Sequence, residues 1–456
     1  MVTDIQKSDF SKGSVPRAIM RLAIPMTLAQ LVNVLYSVIS KIYLGRLPGA
    51  MHLALSGVGV ALPVIFLIIA VPALCGTGGG PLFAISRGKG EDKEAEYIMG
   101  NAFTMLLILG ALATALVLIF RRPLLFLFGA SYDIFPFANE YLTIYSLGSI
   151  FVMITLGMNV FINAQGFGRT AMMTVVIGAS VNLVLEPIFI FALGMGVRGA
   201  ALSTVIAQFC SAAWVMRFLV RKSILRLKLS RMKLLGSRVR RIMALGLSGF
   251  IMSSTNSLAI MIANIMLSRY GGDMYVGIMA VINSLREVIF LPISGIERGA
   301  SPVISFNYGA GHLDRVRRAI KFKMTLMVSY ATVAAAVILL IPGALIGIFN
   351  SDPALIAAGI PALRLYFGLF TFMSAMMSAQ AVFIGLGRAK NAIFFSLLRK
   401  VVILSPLMII LPTLGLGAYG VFLAEPISHV IGGIACVTTM YFVVLRKLRT
   451  PGAELE

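Results

Sequence analysis

Of the 17 acidic residues in this 456-residue chain, only Glu186, Glu287, Glu297 and Glu425 lie well inside long apolar runs. A charge at the centre of a bilayer costs about 2.5–3.5 kcal/mol on insertion scales, so each needs a partner, a cavity or a role in moving ions. Glu186 follows Asn182 by one helical turn in Asn182-Leu-Val-Leu-Glu186-Pro187, and Pro187 frees a backbone carbonyl close by. That cluster suits a proton or a cation; an Arg on a neighbouring helix would make the same Glu purely structural. Glu425 and His429 stand at i and i+4, the one acid and His sharing a face within a span. Such a pair relays protons near neutral pH, or is simply a hydrogen-bonded His. Asn283, Arg286 and Glu287 come together on another helix, with Glu297 and Arg298 about three turns on, near a helix end that water reaches. Adjacent helical residues do not face each other, so Arg286 and Glu287 are expected to pair with other helices. The ion-coupling candidates are therefore Glu186, Asn182, Glu287, Glu425 and His429.

A second set is uncharged. Gln30, Asn33, Ser37 and Ser40 recur at spacings of three, four and three, with Tyr36 alongside, as one polar stripe on an apolar helix. Ser253, Asn256, Ser257 and Asn264 repeat the pattern more weakly in the second half. Stripes of this kind either face a cavity or bind helices together. Met373, Met376 and Met377 cluster near Phe370 and Phe372, a mixture that repacks around varied greasy ligands or fills a core. The expected substrate cavity draws on Gln30, Asn33, Tyr36, Ser37, Ser40, Asn159, Asn256, Asn264, Asn283, Met373 and Met377. There is no Walker A loop, zinc-ligand spacing or Gly-x-Ser-x-Gly elbow, so no enzyme activity, metal or bound cofactor is expected and ATP is not the direct energy source.

The elements that must hold these residues are membrane helices. Mean hydropathy is +0.95 and only 12% of residues are charged, against about 25% in a soluble domain. Apolar runs of spanning length recur and predict helices over 18–44, 53–85, 98–120, 138–163, 172–193, 199–220, 242–267, 276–306, 322–348, 355–385, 391–412 and 417–445. The net charge of +22 follows topology rather than a nucleic-acid surface. With the N-terminus inside, 26 of 39 Lys and Arg fall in cytoplasmic segments and only Arg46, Arg121, Arg122, Arg198 and Arg269 in the opposite loops. This positive-inside imbalance predicts an inner-membrane protein with both termini cytoplasmic, its basic surface touching anionic lipid. Cys75, Cys210 and Cys436 lie far apart in apolar runs and read as small hydrophobes. The first apolar segment has no cleavage site after it and is expected to stay as an anchor.

The two halves repeat at an offset near 220. Gly88-Lys89-Gly90 matches Gly309-Ala310-Gly311, Phe128 matches Phe349, Tyr145 matches Tyr366, and Gly168-Arg169 matches Gly387-Arg388. A duplicated six-helix unit keeps its orientation, so the expected fold is an all-α integral membrane protein of about twelve transmembrane helices. These form two six-helix bundles related by a pseudo-twofold axis along the membrane normal: an N-terminal lobe at 1–220, a basic cytoplasmic linker at 221–241, a C-terminal lobe at 242–445 and a tail at 446–456.

Three strings carry a resemblance: Pro302-Val-Ile-Ser-Phe-Asn307-Tyr-Gly-Ala-Gly311; Leu185-Glu186-Pro187 followed by Gly-Val-Arg-Gly-Ala-Ala-Leu at 196–202; and Leu35-Tyr36 with Ile42-Tyr43-Leu44-Gly45. Together they resemble the multidrug and toxic compound extrusion (MATE) family over roughly residues 15–445. The resemblance implies a V-shaped pair of six-helix bundles that exchanges cytoplasmic organic cations or related drugs for H+ or Na+ by alternating access.

 

Two departures stand out. Bacterial relatives commonly carry Asn and Asp where this chain has Ser37 and Ser40, so the family's N-lobe carboxylate falls on Ser40, which cannot take up a proton. Glu186 stands where Asp is usual before Pro187, with the titratable group one methylene further out. The resemblance leaves two other readings open: a lipid-linked oligosaccharide flippase of the same superfamily, against which few central Arg and only twelve helices speak, and a non-transporting membrane receptor. The partners expected are small organic cations or drugs and membrane lipids, with no nucleic acid, and the chain is expected to be a monomer.

Overall fold

The computed structural model describes residues 9–44, 51–349 and 352–449. The ends assigned to the cytoplasm (1–8 and 450–456), together with Gly45 and Arg46, lie outside the described residues. Every regular element among the described residues is helical. The first half holds α1 (Val15–Leu44), α2 (Met51–Gly88), α3 (Asp92–Leu127), α4 (Phe135–Leu147 and Ser149–Ala164), α5 (Gly168–Pro187) and α6 (Gly196–Arg217). One run, Gly236–Gly309, contains α7 and α8 joined at Gly272, where φ is 68°. Then follow α9 (Leu313–Leu340), α10 (Pro353–Phe367 and Phe370–Gly385), α11 (starting at Ala389–Leu397 and continuing through π-helical turns to Leu416) and α12 (Gly417–Met440). The two parts of α4 meet at 54° and those of α10 at 42°. With each bent pair taken as one span and the runs broken at Gly272 and Gly415 as two each, the described residues contain twelve spans.

The turns carry the duplication. Gly90 and Gly311, Gly166 and Gly387, Gly194 and Gly415, and Gly196 and Gly417 all have positive φ, and each pair is separated by 221 positions. Positive φ is open to glycine at little cost and disfavoured for residues with a Cβ, so these glycines mark where each half must turn. They also correct one match made on sequence. Because α5 starts at Gly168 and α11 at Ala389, Gly168-Arg169 is displaced by two residues from its true counterpart.

The chain divides into two compact units, one of residues up to Lys12 with Ile24–Leu247, the other of Gly13–Ala23 with Ser248 onward. The first is cored by residues such as Phe83 and Phe161, whose rings meet edge-on at 5.4 Å, the second by Tyr366, Phe367 and Phe370. Hydrocarbon offers no hydrophobic drive between helices, so close packing has to bind them. Gly78 and Gly246 serve this in the first unit, where a Cβ on either would run into the backbone of Ile242 or Leu74.

Residues 221–241, expected to be a plain linker, are built into the first unit. Ser223, Leu225 and Leu227 are buried, and the Leu225 N–H donates to Gln165 Oε1 at 2.9 Å. Asn101 on α3 donates to the Lys233 carbonyl at 3.1 Å and accepts from the Leu235 N–H at 3.0 Å, while Thr104 donates to the Met232 carbonyl at 2.8 Å. Gly100 leaves room for the Arg231 carbonyl. Charge completes the latch: Lys228 reaches Glu96 at 2.7 Å, Arg238 reaches Glu94 at 2.7 Å, and Arg231 and Arg238 both stack on Tyr97. Lys323, at the start of the predicted helix 322–348, is buried within α9 and donates to the Ser378 carbonyl at 3.1 Å.

Candidate functional site

In the first unit, α1, α5 and α6 bring four polar side chains together. Ser40 Oγ donates to Glu186 Oε1 at 2.6 Å. With its amide turned so that nitrogen meets the carboxylate, Asn182 donates to Glu186 Oε2 at 2.7 Å and bridges to Thr204 Oγ1 at 3.2 Å. Tyr36 and Tyr141 lie near Thr204 and Glu186. Glu186 is fully buried, and among the described residues no Lys, Arg or His comes within ion-pair distance of it. The local sequence explains the shape. Pro187 has no N–H to return to the Leu183 carbonyl, and the helix passes into a π-helical turn at Ile188–Ala192. One turn from Ser40, Glu186 and Thr204 lie Leu44, Ile190 and Ala200, which share one buried apolar cluster and close that end of the site. A lone carboxylate so placed is costly as a bare charge, so it calls for a proton or a cation.

The second unit holds a different arrangement. Glu425 on α12 lies 3.4 Å from Arg399 Nη1 and 3.1 Å from His429 Nε2, all three side chains being buried. Arg286 on α8 donates to the Tyr366 hydroxyl at 3.0 Å, and Lys400 donates to the Met252 carbonyl at 2.9 Å. The two units thus place unlike groups at matching points. Gly194, Gly196, Gly199 and Leu202 lead to Thr204 as Gly415, Gly417, Gly420 and Leu423 lead to Glu425, again 221 positions on.

Residues 25–188 and 249–410, well over half of the chain, match the MatE family model. The chain belongs to the MatE family. It is therefore a multi-pass membrane protein of a multidrug efflux transporter family. The multidrug export protein MepA of Staphylococcus saprophyticus is 25% identical over 466 residues, covering 99% of each chain. A solved MATE structure in the bent conformation, 23% identical, has a TM-score of 0.91 over 97% of this chain and 99% of its own. A second, the outward-facing conformation of a multidrug resistance MATE family transporter of the MOP superfamily, has a TM-score of 0.89 at 23% identity over 98% of both chains. These likenesses carry the fold.

Against this MatE framework the expected site residues divide. Glu186, Asn182, Ser40 and Tyr36 come together as one cluster. From the same α1 stripe, Asn33 is exposed, while Gln30 and Ser37 are half-buried and make no hydrogen bond to the cluster. Asn159 is interhelical glue, donating to the Ala171 carbonyl at 3.1 Å and accepting from Thr174 at 3.1 Å. Asn256 and Asn283 line the cavity beside Arg286, but Asn264 lies in a separate open depression with Arg269 and Asp273. Met373 is buried in the core of the second unit and Met377 packs against it. Glu287 is exposed, because α8 turns the neighbouring Arg286 toward Tyr366 and so points Glu287 elsewhere. Glu425 and His429 do meet, with Arg399 as third member. Two groups were missed. Thr204 is marked by the Gly-Val-Arg-Gly-Ala-Ala-Leu string just before it, and Arg399-Lys400 by two adjacent cations inside an apolar run.

Proposed function

We propose that this chain is a secondary antiporter that exports lipophilic, often cationic small molecules in exchange for protons or sodium ions, with Glu186 as the coupling carboxylate. The observation that carries this reading is a buried Glu186 held by Ser40 and Asn182, with no cation paired to it among the described residues. Binding a proton or sodium ion there satisfies the charge, and losing the ion restores the penalty, so occupancy of the site biases which transporter state is favoured. Drug and ion favour different states, which is the condition for exchange by alternating access. The MepA relative, named as a multidrug export protein, supports the substrate class, and solved relatives described as bent and as outward-facing support more than one state. The chain works as a monomer in the cell membrane with both termini on the cytoplasmic side.

In reconstituted vesicles, an imposed proton or sodium gradient should drive accumulation of a fluorescent lipophilic cation, and Glu186→Gln should reduce this to the rate without a gradient. Undiminished gradient-driven uptake in that variant would remove Glu186 from the mechanism. Lipid flipping without any dye uptake would favour the flippase reading.

A further inference from the structure

We propose that the second unit holds one small anion of the chloride class in the cavity where Arg286, Tyr366 and Arg399 meet. The proposal is independent of the antiport reading, which rests on the first unit. Three cationic side chains, Arg286, Arg399 and Lys400, gather around a single buried carboxylate, Glu425. Arg399 is only 4% exposed, yet its Nε has no hydrogen-bond partner and its Nη1 stands 3.4 Å from Glu425, a long contact for a charged pair. Among the described residues Arg286 forms no ion pair, and its side-chain hydrogen bond goes to the neutral Tyr366 hydroxyl. Buried charges are kept only when paired and hydrogen-bonded, and one buried carboxylate does not balance the buried Arg399 and the half-buried Arg286 together.

The surroundings are built for this. Gly432 lets the Arg399 stem lie against α12, since a Cβ there would come within 2.9 Å of Arg399 Cγ. Asn256, Asn283, Arg286, Tyr366, Arg399 and Glu425 make up the polar part of the cavity lining, the rest being apolar, so it combines guanidinium, amide and hydroxyl donors. Tyr366 oxygen accepts from Arg286, which leaves the phenolic proton to donate. The space is about 10 Å³, the scale of a single water. A water there would leave the positive excess standing, and a carboxylate or phosphate bearing an organic body does not fit. Chloride, a single atom with no organic body, supplies the missing charge and accepts several N–H and O–H donors at once.

The test uses the purified full-length chain and radioactive chloride in an equilibrium binding assay, with thermal unfolding in potassium chloride and potassium gluconate at equal ionic strength. Saturable binding of about one chloride per chain is expected, with an unfolding midpoint that rises with chloride and not with gluconate. Tyr366→Phe should weaken binding about tenfold, the scale of one hydrogen bond to a charged group, and Arg286→Met should abolish it. Arg399→Met also strips Glu425 of its partner and can fail to fold, so these two variants carry the decision. Absence of saturable chloride binding in the unmodified chain would overturn the proposal, as would binding that both variants retain.

Discussion

Glu186 sits where a carboxylate is hardest to keep and is held there by groups that carry no charge. If its role were structural, removing the acid would harm the fold; if its role is coupling, a neutral isostere should leave the fold intact and harm transport. Glu186→Gln is accordingly expected to abolish gradient-driven export with a thermal unfolding midpoint no lower than that of the unmodified chain, measured on the same preparation. Ser40→Ala removes a hydrogen bond to a charged group, worth about 1.5–3 kcal/mol. Export at sub-saturating ion should fall about tenfold or more, read as initial rates in vesicles. The Asn182, Glu186 and Pro187 run was legible because it puts an acid, an amide and a helix breaker within two turns of an apolar segment. Thr204 was not, since a Thr on an apolar helix has many uses and only the fold brings it to Asn182.

At the scale of elements, two built-in contacts turn sequence into position. The strand of chain after α6 is latched to α3 by Asn101, which serves a carbonyl on one side and an N–H on the other. Asn101→Leu leaves both backbone groups unsatisfied, at about 1–3 kcal/mol each. The expected result is a lower unfolding midpoint and faster cleavage by trypsin in residues 221–241, both read on purified protein. Gly432 plays the equivalent part for Arg399 in the second unit, and Gly432→Ala forces the Arg399 stem to move, an overpacking of about 1–3 kcal/mol. Its thermal unfolding midpoint should drop, whereas an alanine at exposed Gly236, where a Cβ meets open space, should not lower it as far. The helices themselves were plain in the hydropathy pattern. The latch was hidden, because nine basic residues in 221–241 read as topology until Glu94, Glu96 and Tyr97 are seen beside them.

At the scale of the whole molecule, a duplicated chain has come to hold two unlike polar sites. The turn glycines kept their 221-position register, so the duplication was legible from Gly90 and Gly311, Phe128 and Phe349, and Tyr145 and Tyr366. The divergence was less so: Thr204 and Glu425 occupy matching places, yet the buried acid of the first unit, Glu186, is on α5. Helical periodicity says which residues share a face but not which helix that face meets, so the pattern alone does not show that Met373 packs in the core of the second unit or that Glu287 is exposed. Antiport demands that ion and drug oppose each other through Glu186, and that coupling is reciprocal. The most direct measurement is the Kd of a fluorescent drug for the purified chain across pH and sodium concentration, in the unmodified protein and in Glu186→Gln. The account predicts a Kd that changes by about 5- to 150-fold with the coupling ion in the unmodified protein and stays flat in the variant; an equal ion dependence in both would contradict it.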